Sequence, residues 1–424
     1  MEESNLKILV LSSVSPSVGP AIIGGQIYDA LKQKGLDVDF MTKFSDSDHP
    51  EYLWVIKNTL LNRLYYKIKN KIMWLRLGRV PDFYYANESR PPVSSRLVLK
   101  AIKKKYDLVY IVFWQGLLSF DTVEKIFDKI QCQFQFQGVD YSHMAGGCHF
   151  IGDCQRYQVG CGKCPAFHSN NANDFTAKNV VFRKRVYEKV KPIVYGNLYM
   201  KDFYKSSYLL KDARVEMTSA IINTDVFRPL ESIIYRKKYV IPDEKKFVIF
   251  FGSQNLNSAR KGIYYLLEAF NYLYQHMGES VSKVLVITAG RQYDLIKNNI
   301  PFDSRGFGYV PMDVLPEIFS LATLFVCSSV NDAGPMMVNQ SICCGTPVVG
   351  FDMGAVKQVV KDKGTGVCVP IGDSKALAEG MLRILKLTKN EYNEMSSRAR
   401  ELGIQTSSYG AQADLILRTY KKYQ

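Results

Sequence analysis

The sequence predicts an α/β protein with two doubly wound, Rossmann-like domains, and three observations lead to this prediction. The segment 324–351 has the pattern of a strand, a loop, a helix and a second strand within about thirty residues, an order that requires parallel strands. The segment 246–274 has the same order of strand, loop and helix. The chain has 424 residues, which is too long for a single compact core.

The first half of the chain contains further strands of this kind. Short apolar runs predict five strands, at 7–12, 37–42, 107–113, 133–136 and 192–195. A glycine pair, Gly24-Gly25, precedes the helical run after the first of these strands. Glycine lets a backbone approach a ligand closely and a helix N-terminus favours an anion, although a plain strand-to-helix turn is the more common reason for such a pair.

The composition is that of a folded protein with excess positive charge. Hydrophobic residues make up 47% of the chain and charged residues 22%. The net charge is +15, and residues 1–228 contain 32 Lys or Arg against 22 Asp or Glu, so this part carries +10. Such a field suits nucleic acid, an anionic membrane or a phosphorylated substrate, and charge alone does not choose among them.

The segment 52–80 is strongly basic. It holds seven Lys or Arg and no Asp or Glu, with apolar and aromatic residues between the cations. A basic helix with an apolar, aromatic face is typical of a membrane-surface element, but an ordinary helix with solvated lysines and a buried stripe has the same composition. Nucleic-acid binding uses the same residue types, yet no signature of a nucleic-acid module is present, and no nucleic-acid partner is expected.

Four cysteines lie close together in a predicted loop. They are Cys148, Cys154, Cys161 and Cys164, and the last two have the Cys-x-x-Cys spacing of a zinc knuckle. A structural zinc that holds the loop together is one interpretation, and free or pairing thiols are the other. Elemental analysis of the purified protein separates the two. A fully occupied tetrahedral site leaves no open position for chemistry, so this zinc would have no catalytic role.

Candidate ligand-binding residues follow two strands of the second domain. Ligands of parallel sheets bind beyond the carboxyl ends of the strands. The adjacent cations Arg260 and Lys261 lie in such a loop, where they could bind a diphosphate or serve only solubility. Asp332 lies in the loop after the strand at 324–327, where it could accept ligand hydroxyls or only cap a helix. Gln340, about two helical turns further on, could reach the same ligand.

The segment around Asp332 resembles the donor-binding signature of the family-4 retaining glycosyltransferases. That family has an acid, seven residues, a glutamate and then a small-Cys-Gly-Thr-Pro-Val-Val run, and here Asp332, Gln340 and the run 344–349 stand at those places. The resemblance covers most of the chain, most clearly 246–372, and implies two domains facing a cleft, the GT-B arrangement. Gln340 stands where the family usually has a glutamate. An amide can still accept a hydrogen bond from one ribose hydroxyl and donate one to another.

The same resemblance implies roles for individual residues. Asp332, Lys261 and Arg260 are the implied catalytic residues, with Arg260 standing in for an arginine that the family has where Ser253 lies. The implied donor-binding residues are Gly24, Gly25, Gly334, Pro335, Met336, Met337, Gln340 and Gly308.

The stretch around the cysteines resembles an insertion in a subgroup of these enzymes, of the bacterial surface-polysaccharide type. Those relatives have His-Asp just before the insertion, whereas here Val139 takes the place of the histidine and Asp140 keeps the aspartate. His143 is the candidate replacement for the histidine contact with the sugar. The predicted domains are an acceptor-side domain at 1–228 with the insertion at 145–168, a nucleotide-sugar-binding domain at 229–404, and a helix at 405–424 that crosses back to the first domain.

The predicted reaction is transfer of a hexose from a nucleotide-diphosphate sugar to an acceptor hydroxyl, with retention at the anomeric carbon. Lys261, Arg260 and loop amides around 334–337 would stabilise the leaving diphosphate, so no cofactor is required for catalysis. By analogy, the acceptor is a saccharide or a lipid-linked glycan of capsule, O-antigen, lipopolysaccharide or exopolysaccharide synthesis. The alternatives are a GT-B nucleotide-sugar 2-epimerase and a non-enzymatic, zinc-containing nucleic-acid binder.

The expected location is the cytoplasm, with peripheral contact to an anionic membrane at the inner face of the plasma membrane. No apolar run approaches the eighteen residues of a membrane span, and the short apolar segment after Glu2 and Glu3 is a first strand and not a signal peptide. Nine cysteines without an export signal indicate a reducing compartment.

Overall fold

The computed structural model describes residues 5–13, 22–77, 83 and 87–424, and in them the chain forms two compact units. The first unit comprises the described residues up to Gly196, Met200–Thr218 and Gln412–Gln424. The second unit comprises Asn197–Tyr199 and Ser219–Ala411. The change from the first unit to the second after Thr218 lies ahead of the domain boundary predicted at 228–229.

The first unit contains a parallel sheet of seven strands in its described residues, in the order β3-β2-β1-β4-β5-β6-β7. Its central strands are buried on both faces, as expected for apolar strands between two layers of helices. The strands are β1 Lys7–Ser12, β2 Asp37–Phe44, β3 Leu53–Ile56, β4 Leu108–Val112, β5 Gln133–Gln137, β6 Ile193–Gly196 and β7 Arg214–Met217. The helices are α1 Ile22–Gln33, α2 Leu60–Leu77, α3 Ser95–Ala101, α4 Phe120–Ile130, α5 Phe175–Val190 and α6 Met200–Ser206.

The predicted basic segment 52–80 is not one continuous helix. Its beginning forms the edge strand β3, because the backbone of 53–56 pairs with β2 from Met41 to Phe44. The helix α2 then begins at Leu60. Residues 78–80 lie outside the described residues.

The second unit contains a parallel sheet of six strands, in the order β10-β9-β8-β11-β12-β13. The strands are β8 Phe247–Asn255, β9 Val284–Arg291, β10 Asp303–Gly306, β11 Leu324–Cys327, β12 Val348–Phe351 and β13 Gly366–Val369. The helices are α7 Ser232–Lys238, α8 Ile263–His276, α9 Leu315–Leu321, α10 Met336–Cys343, α11 Gly354–Val359, α12 Ser374–Leu385 and α13 Lys389–Ser407. Apolar clusters on both faces of this sheet form the core of the unit.

The last helix, α14 Tyr409–Lys422, begins later than the helix predicted at 405–424. The residues before it belong to α13, and the extended backbone of Ser408 separates the two helices. From Gln412 onward α14 belongs to the first unit, where Gln412 accepts a hydrogen bond from Thr218 and the carbonyl oxygen of Tyr420 accepts one from Gln133. In the described ranges, no helix is long and apolar enough to cross a membrane.

Both sheets have the strand order of a doubly wound fold, which confirms the predicted fold class. The order of connection reverses between β1 and β4 in the first sheet and between β8 and β11 in the second. In open α/β sheets, ligands bind at such a reversal, beyond the carboxyl ends of the strands. In the second unit this point lies between the loops that follow β8 and β11.

Candidate active site

The loops after β8 and β11 are joined by hydrogen bonds at the reversal point of the second sheet. The backbone oxygen of Arg260 accepts from the N–H groups of Val330 and Asn331, at 3.0 and 3.3 Å. The backbone oxygen of Lys261 accepts from the hydroxyl of Ser328 at 2.9 Å. The two predicted cations are therefore held beside the loop that carries Asp332.

Gly262 makes this close approach possible. Its φ of +69° is a left-handed conformation that favours glycine, and a Cβ added there would lie 1.8 Å from the carbonyl oxygen of Ser328. The residue also marks the end of the single turn at 259–261 and the start of α8. Glycine directly after Lys261 thus has a geometric reason in the fold.

Asp332 forms ion pairs with both cations. One carboxylate oxygen, Oδ2, lies 2.5 Å from Lys261 Nζ and 3.0 Å from Arg260 Nη1. The other oxygen, Oδ1, accepts the backbone N–H of Gly334 at 3.1 Å. The side chain of Asp332 is 10% exposed, whereas those of Arg260 and Lys261 are 27% and 20% exposed. The structure brings the three predicted catalytic residues together, with the carboxylate beneath and the cations nearer the solvent.

The two cations keep Asp332 ionised. Burial alone would raise the pKa of its carboxyl, but the ammonium of Lys261 and the guanidinium of Arg260 outweigh burial and hold the pKa below its ordinary value. A carboxylate offers about four lone-pair positions, and these contacts use three of them. One lone-pair position is therefore not used by these contacts.

The N-terminus of α10 completes this region. Pro335 precedes the helix, and Met336 and Met337 are its first residues. The first N–H groups of a helix have no acceptor within the helix, so they favour an anionic ligand. A Cβ on Gly252 would lie 2.3 Å from the methyl carbon of Met337, so glycine at this position in β8 lets α10 pack closely.

Gly334 packs against Asn197, which comes directly after β6 in sequence but belongs to the second unit. A Cβ on Gly334 would lie 2.7 Å from Nδ2 of Asn197. The same amide nitrogen of Asn197 donates to the carbonyl oxygen of Ala333. This contact fixes the loop between Asp332 and α10 and was not anticipated from the sequence.

Gln340 and Gly308 have other surroundings. Gln340 is 2% exposed, and its Nε2 donates to Sδ of Met312 at 3.0 Å. Gly308 follows β10 with a φ of +64°, and its backbone oxygen accepts the N–H of Gly290. Open space lies where a Cβ of Gly308 would be. Their predicted roles in donor binding stay predictions.

Gly24 and Gly25 lie in the first turn of α1, in the first unit. Both are buried, and a Cβ on Gly24 would lie 3.0 Å from Cβ of Ser12 and 3.2 Å from a methyl of Val112. Glycine at this position therefore lets α1 pack against the ends of β1 and β4. This packing role is visible in the structure, and contact with a donor stays a prediction.

His143 is in the core of the first unit and is not available to a sugar as placed. It is 0% exposed, with its ring centroid 4.4 Å from that of Trp114 and 5.6 Å from that of Phe136. Its Nε2 lies 3.1 Å from the carbonyl oxygen of Gln137 and its Nδ1 3.4 Å from the hydroxyl of Tyr187. The expected contact of His143 with a sugar is therefore not supported.

Asp140 is paired with a different histidine. Its Oδ2 lies 2.8 Å from Nδ1 of His149, and its Oδ1 accepts the N–H of Ser142 at 2.7 Å. Burial raises the pKa of Asp140, and the hydrogen bonds from His149 and Ser142 more than offset it, so the pKa is below its ordinary value. The side chain of His149 is 29% exposed. The histidine that lies beside Asp140 is therefore His149 and not His143, the candidate replacement for the histidine contact with the sugar.

The burial of His143 makes stability depend on pH. Burial lowers its pKa to about 4, so the unfolded chain binds this proton more tightly than the folded chain. The free energy of unfolding is therefore expected to fall as the pH decreases from about 6.5 towards 4. A His143→Phe variant is expected to lose much of this slope in urea unfolding measured across that range. An identical slope in the variant would contradict the burial of a neutral histidine.

The four clustered cysteines are neighbours in the first unit. Burial raises the pKa of Cys148, and the thiols of Cys161, Cys164 and Cys154 raise it further. In the described part of the chain, no group of three or more His, Cys, Asp or Glu side chains is arranged to hold a metal ion. The thiols as placed therefore do not form a ligand set, and zinc at this loop stays a prediction.

The two doubly wound units define the architecture as GT-B, and solved structures agree. Sucrose-phosphate synthase from Thermosynechococcus elongatus matches with a TM-score of 0.66 and 16% identity, over 99% of each chain. Anabaena Alr3699/HepE in complex with UDP matches with a TM-score of 0.62 and 14% identity, over 98% of this chain and 100% of that one. At these identities the similarity concerns the fold.

Most of the second unit matches a known protein family. Residues 231–402 match the family described as glycosyl transferases group 1. The putative glycosyltransferase YtcC of Bacillus subtilis is 26% identical over 210 residues, which are 46% of this chain and 46% of that protein. The chain thus spans about half the length of the curated relatives it matches.

Proposed function

We propose that the protein is a retaining glycosyltransferase that moves a hexose from a nucleotide-diphosphate sugar to an acceptor hydroxyl. The observation that carries the proposal is the cluster of Arg260, Lys261 and Asp332 at the reversal point of the second sheet. The cluster lies within the domain matched by the glycosyl transferases group 1 family. Doubly wound folds generally bind nucleotides at the reversal point of the sheet. A diphosphate bound there would contact both Arg260 and Lys261.

The donor that fits these observations best is a uridine diphosphate hexose. Anabaena Alr3699/HepE, a structure with the same fold, has been solved in complex with UDP and in complex with UDP-glucose. For this chain the identity of the base and of the sugar is a proposal. A screen that includes other nucleotide sugars tests it.

The chemistry follows from where charge develops. When the bond from the anomeric carbon to the diphosphate breaks, negative charge grows on the leaving phosphate oxygen. Lys261, Arg260 and the N–H groups at the start of α10 are positioned around one loop and would stabilise this charge. The departing phosphate can itself take the proton of the acceptor hydroxyl. The acceptor then attacks the anomeric carbon from the face that the diphosphate leaves, which gives retention.

Asp332 has two roles in this scheme. Its Oδ2 orients both cations before the donor binds, so that little reorganisation is needed when charge develops. Its remaining lone-pair position can accept a hydroxyl of the donor sugar. We infer that the carboxylate acts more on turnover than on nucleotide affinity.

The proposed acceptor is a saccharide or a lipid-linked glycan of surface-polysaccharide synthesis, held at the inner face of the plasma membrane. The positive net charge of the chain supports an anionic partner, and a lipid-linked diphosphate provides one. This assignment of pathway rests on the resemblance of the cysteine-rich insertion and on charge.

A thermal-shift screen of nucleotide sugars tests the donor, followed by product analysis with and without a saccharide acceptor. A donor at a hundred times its Kd is expected to stabilise the protein by about 2.7 kcal/mol. A transferase releases nucleoside diphosphate slowly alone and faster with acceptor, whereas an epimerase changes the sugar without acceptor. No shift with any nucleotide sugar, together with salt-sensitive retention of RNA, would contradict the proposal.

The Asp332→Asn variant separates the two roles of the carboxylate. It is expected to lower turnover by about tenfold to a hundredfold while the thermal shift by nucleotide sugar falls less, because the cations remain. Asp303→Asn is a control, since this exposed carboxylate pairs with Lys245 elsewhere in the second unit. Equal losses of turnover in both variants would argue against a role of Asp332 in the reaction.

A further inference from the structure

Helix α2 exposes a long apolar face on the first unit. Its large apolar side chains with exposures of 46–81% are Leu60, Leu61, Leu64, Tyr65, Ile68, Ile72 and Leu75. At 100° per residue, these seven positions fall within an arc of about 140° and extend over about 22 Å of helix. We call this set the apolar arc.

The opposite side of α2 attaches the helix to its unit. Tyr66 lies about 170° from the middle of the apolar arc. Its ring packs edge-on against Phe44 at 5.9 Å, and the ammonium of Lys43 lies 4.4 Å from the centre of the same ring. Lys69 donates to the carbonyl oxygen of Pro92 at 2.7 Å. The apolar arc therefore points away from the contacts that hold the helix.

All the charged residues in the sequence of α2 are positive. Arg63, Lys67 and Lys71 are spaced by four residues and form one row along an edge of the arc. No Asp or Glu occurs in the segment 52–80, which holds seven Lys or Arg. A second copy of the chain docked through the same helix would place these like charges opposite each other, which opposes self-association.

We propose that α2 docks the protein on an anionic phospholipid bilayer. The apolar arc lies among the upper acyl chains and the row of cations lies at the headgroups, as in helices that lie in the interface plane. The proposal builds on the proposed position of the enzyme at a membrane and adds the residues that make the contact. Such docking would bring the first unit to an acceptor that is anchored in lipid.

Vesicle flotation of the full chain tests this surface in the absence of nucleotide sugar. The protein is expected to float with vesicles of phosphatidylglycerol and phosphatidylcholine, and not with phosphatidylcholine alone. The double variant Leu61→Ser/Leu64→Ser is expected to bind at least about tenfold more weakly, because apolar area is lost. Lys67→Gln/Lys71→Gln is expected to lose about as much, with a weaker dependence on salt.

Leu295→Ser is the matched control, because Leu295 is 60% exposed in the second unit, and it is expected to bind as the wild type does. Equal binding of the wild type to phosphatidylcholine alone, or unchanged binding of the α2 variants, would overturn the proposal. A dimer seen by sedimentation without vesicles and abolished by Leu61→Ser/Leu64→Ser would also overturn it, in favour of a second copy. The thermal shift by nucleotide sugars is read separately, so vesicle binding without a shift would refute the transferase alone.

Discussion

The Lys261→Ala variant is expected to lose the thermal shift by nucleotide sugars and to turn over at least a hundredfold more slowly, a loss of about 2.7 kcal/mol or more. The ammonium of Lys261 lies at the reversal point of the second sheet, 2.5 Å from Asp332 and partly exposed. It is therefore placed to meet a diphosphate, and its stabilising effect grows as charge develops on the leaving group. The measurements are a thermal-shift titration and an assay of released nucleoside diphosphate.

Two further variants make this expectation specific. Lys261→Arg retains the positive charge and is expected to keep part of the thermal shift, whereas its different shape should still lower turnover. Lys297→Ala removes another lysine of the second unit, which is paired with Asp294 at 2.7 Å on the surface, and is expected to behave as the wild type does. Wild-type turnover in both Lys261→Ala and Asp332→Asn would remove the basis of the proposed reaction.

The order of strand, loop and helix at the site could be predicted from the sequence, because it depends on residues that are close in sequence. An apolar run that ends in Ser328, a turn around Gly334 and helical spacing from Met336 define the strand, the loop and the start of the helix. Parallel strands then place such loops at one edge of a sheet, so Asp332 and Lys261 could be expected there together. The resemblance supplied the roles that spacing alone left open.

The ion pairs themselves could not be predicted in this way. Asp332 and Lys261 are far apart in sequence, and their contact depends on β8 and β11 being neighbours at the centre of the sheet. The order of strands in a sheet depends on contacts between residues far apart in sequence, and a single sequence gives little direct information about such contacts. Neither interpretation of Asp332, as an acceptor of ligand hydroxyls or as a helix cap, included the two cations that contact one of its oxygens.

The expectation that His143 contacts the sugar is not supported by the structure, for a similar reason. His143 lies only three residues after Asp140 in sequence, but the turn at 141–143 places its ring in the core beside Trp114 and Phe136. His149, which lies further along the loop, returns to pair with Asp140. The signal that could have identified it is the Gly-Gly pair at 146–147, since glycines there permit the chain to fold back.

The Arg183→Met variant is expected to destabilise the first unit by about 3–5 kcal/mol, because it leaves a buried carboxylate without its partner. Arg183 and Glu88 are both 1% exposed, and Glu88 Oε1 lies 2.7 Å from Nε and 2.6 Å from Nη2 of Arg183. The same guanidinium donates through Nη1 to the carbonyl oxygens of Ser142 and Ala145. The loss is measured by calorimetry as a lower Tm of the transition assigned to the first unit.

Arg185→Met is the matched control on the same helix. Arg185 is exposed and pairs with Glu124 at 2.7 Å, so its loss is expected to cost at most about 1 kcal/mol. The transition of the second unit, identified by its shift with nucleotide sugar, is expected to keep its Tm in both variants. A loss in Arg183→Met no larger than that in Arg185→Met would show that the buried pair does not have the burial described.

The double variant Arg183→Met/Glu88→Gln distinguishes an unpaired charge from lost loop contacts. If the unpaired carboxylate causes most of the loss, removing its charge is expected to restore a large part of the stability, as it does when buried pairs are replaced together. Glu88 Oε2 also accepts the N–H of Phe120 at 2.7 Å, and a glutamine oxygen can keep that bond. If stability is not restored, the hydrogen bonds from Arg183 to the loop at 142–145 account for most of the stability that Arg183→Met loses. Arg183 would then hold the Asp140–His149 region in place, and the single variant would lower the stability of that loop specifically.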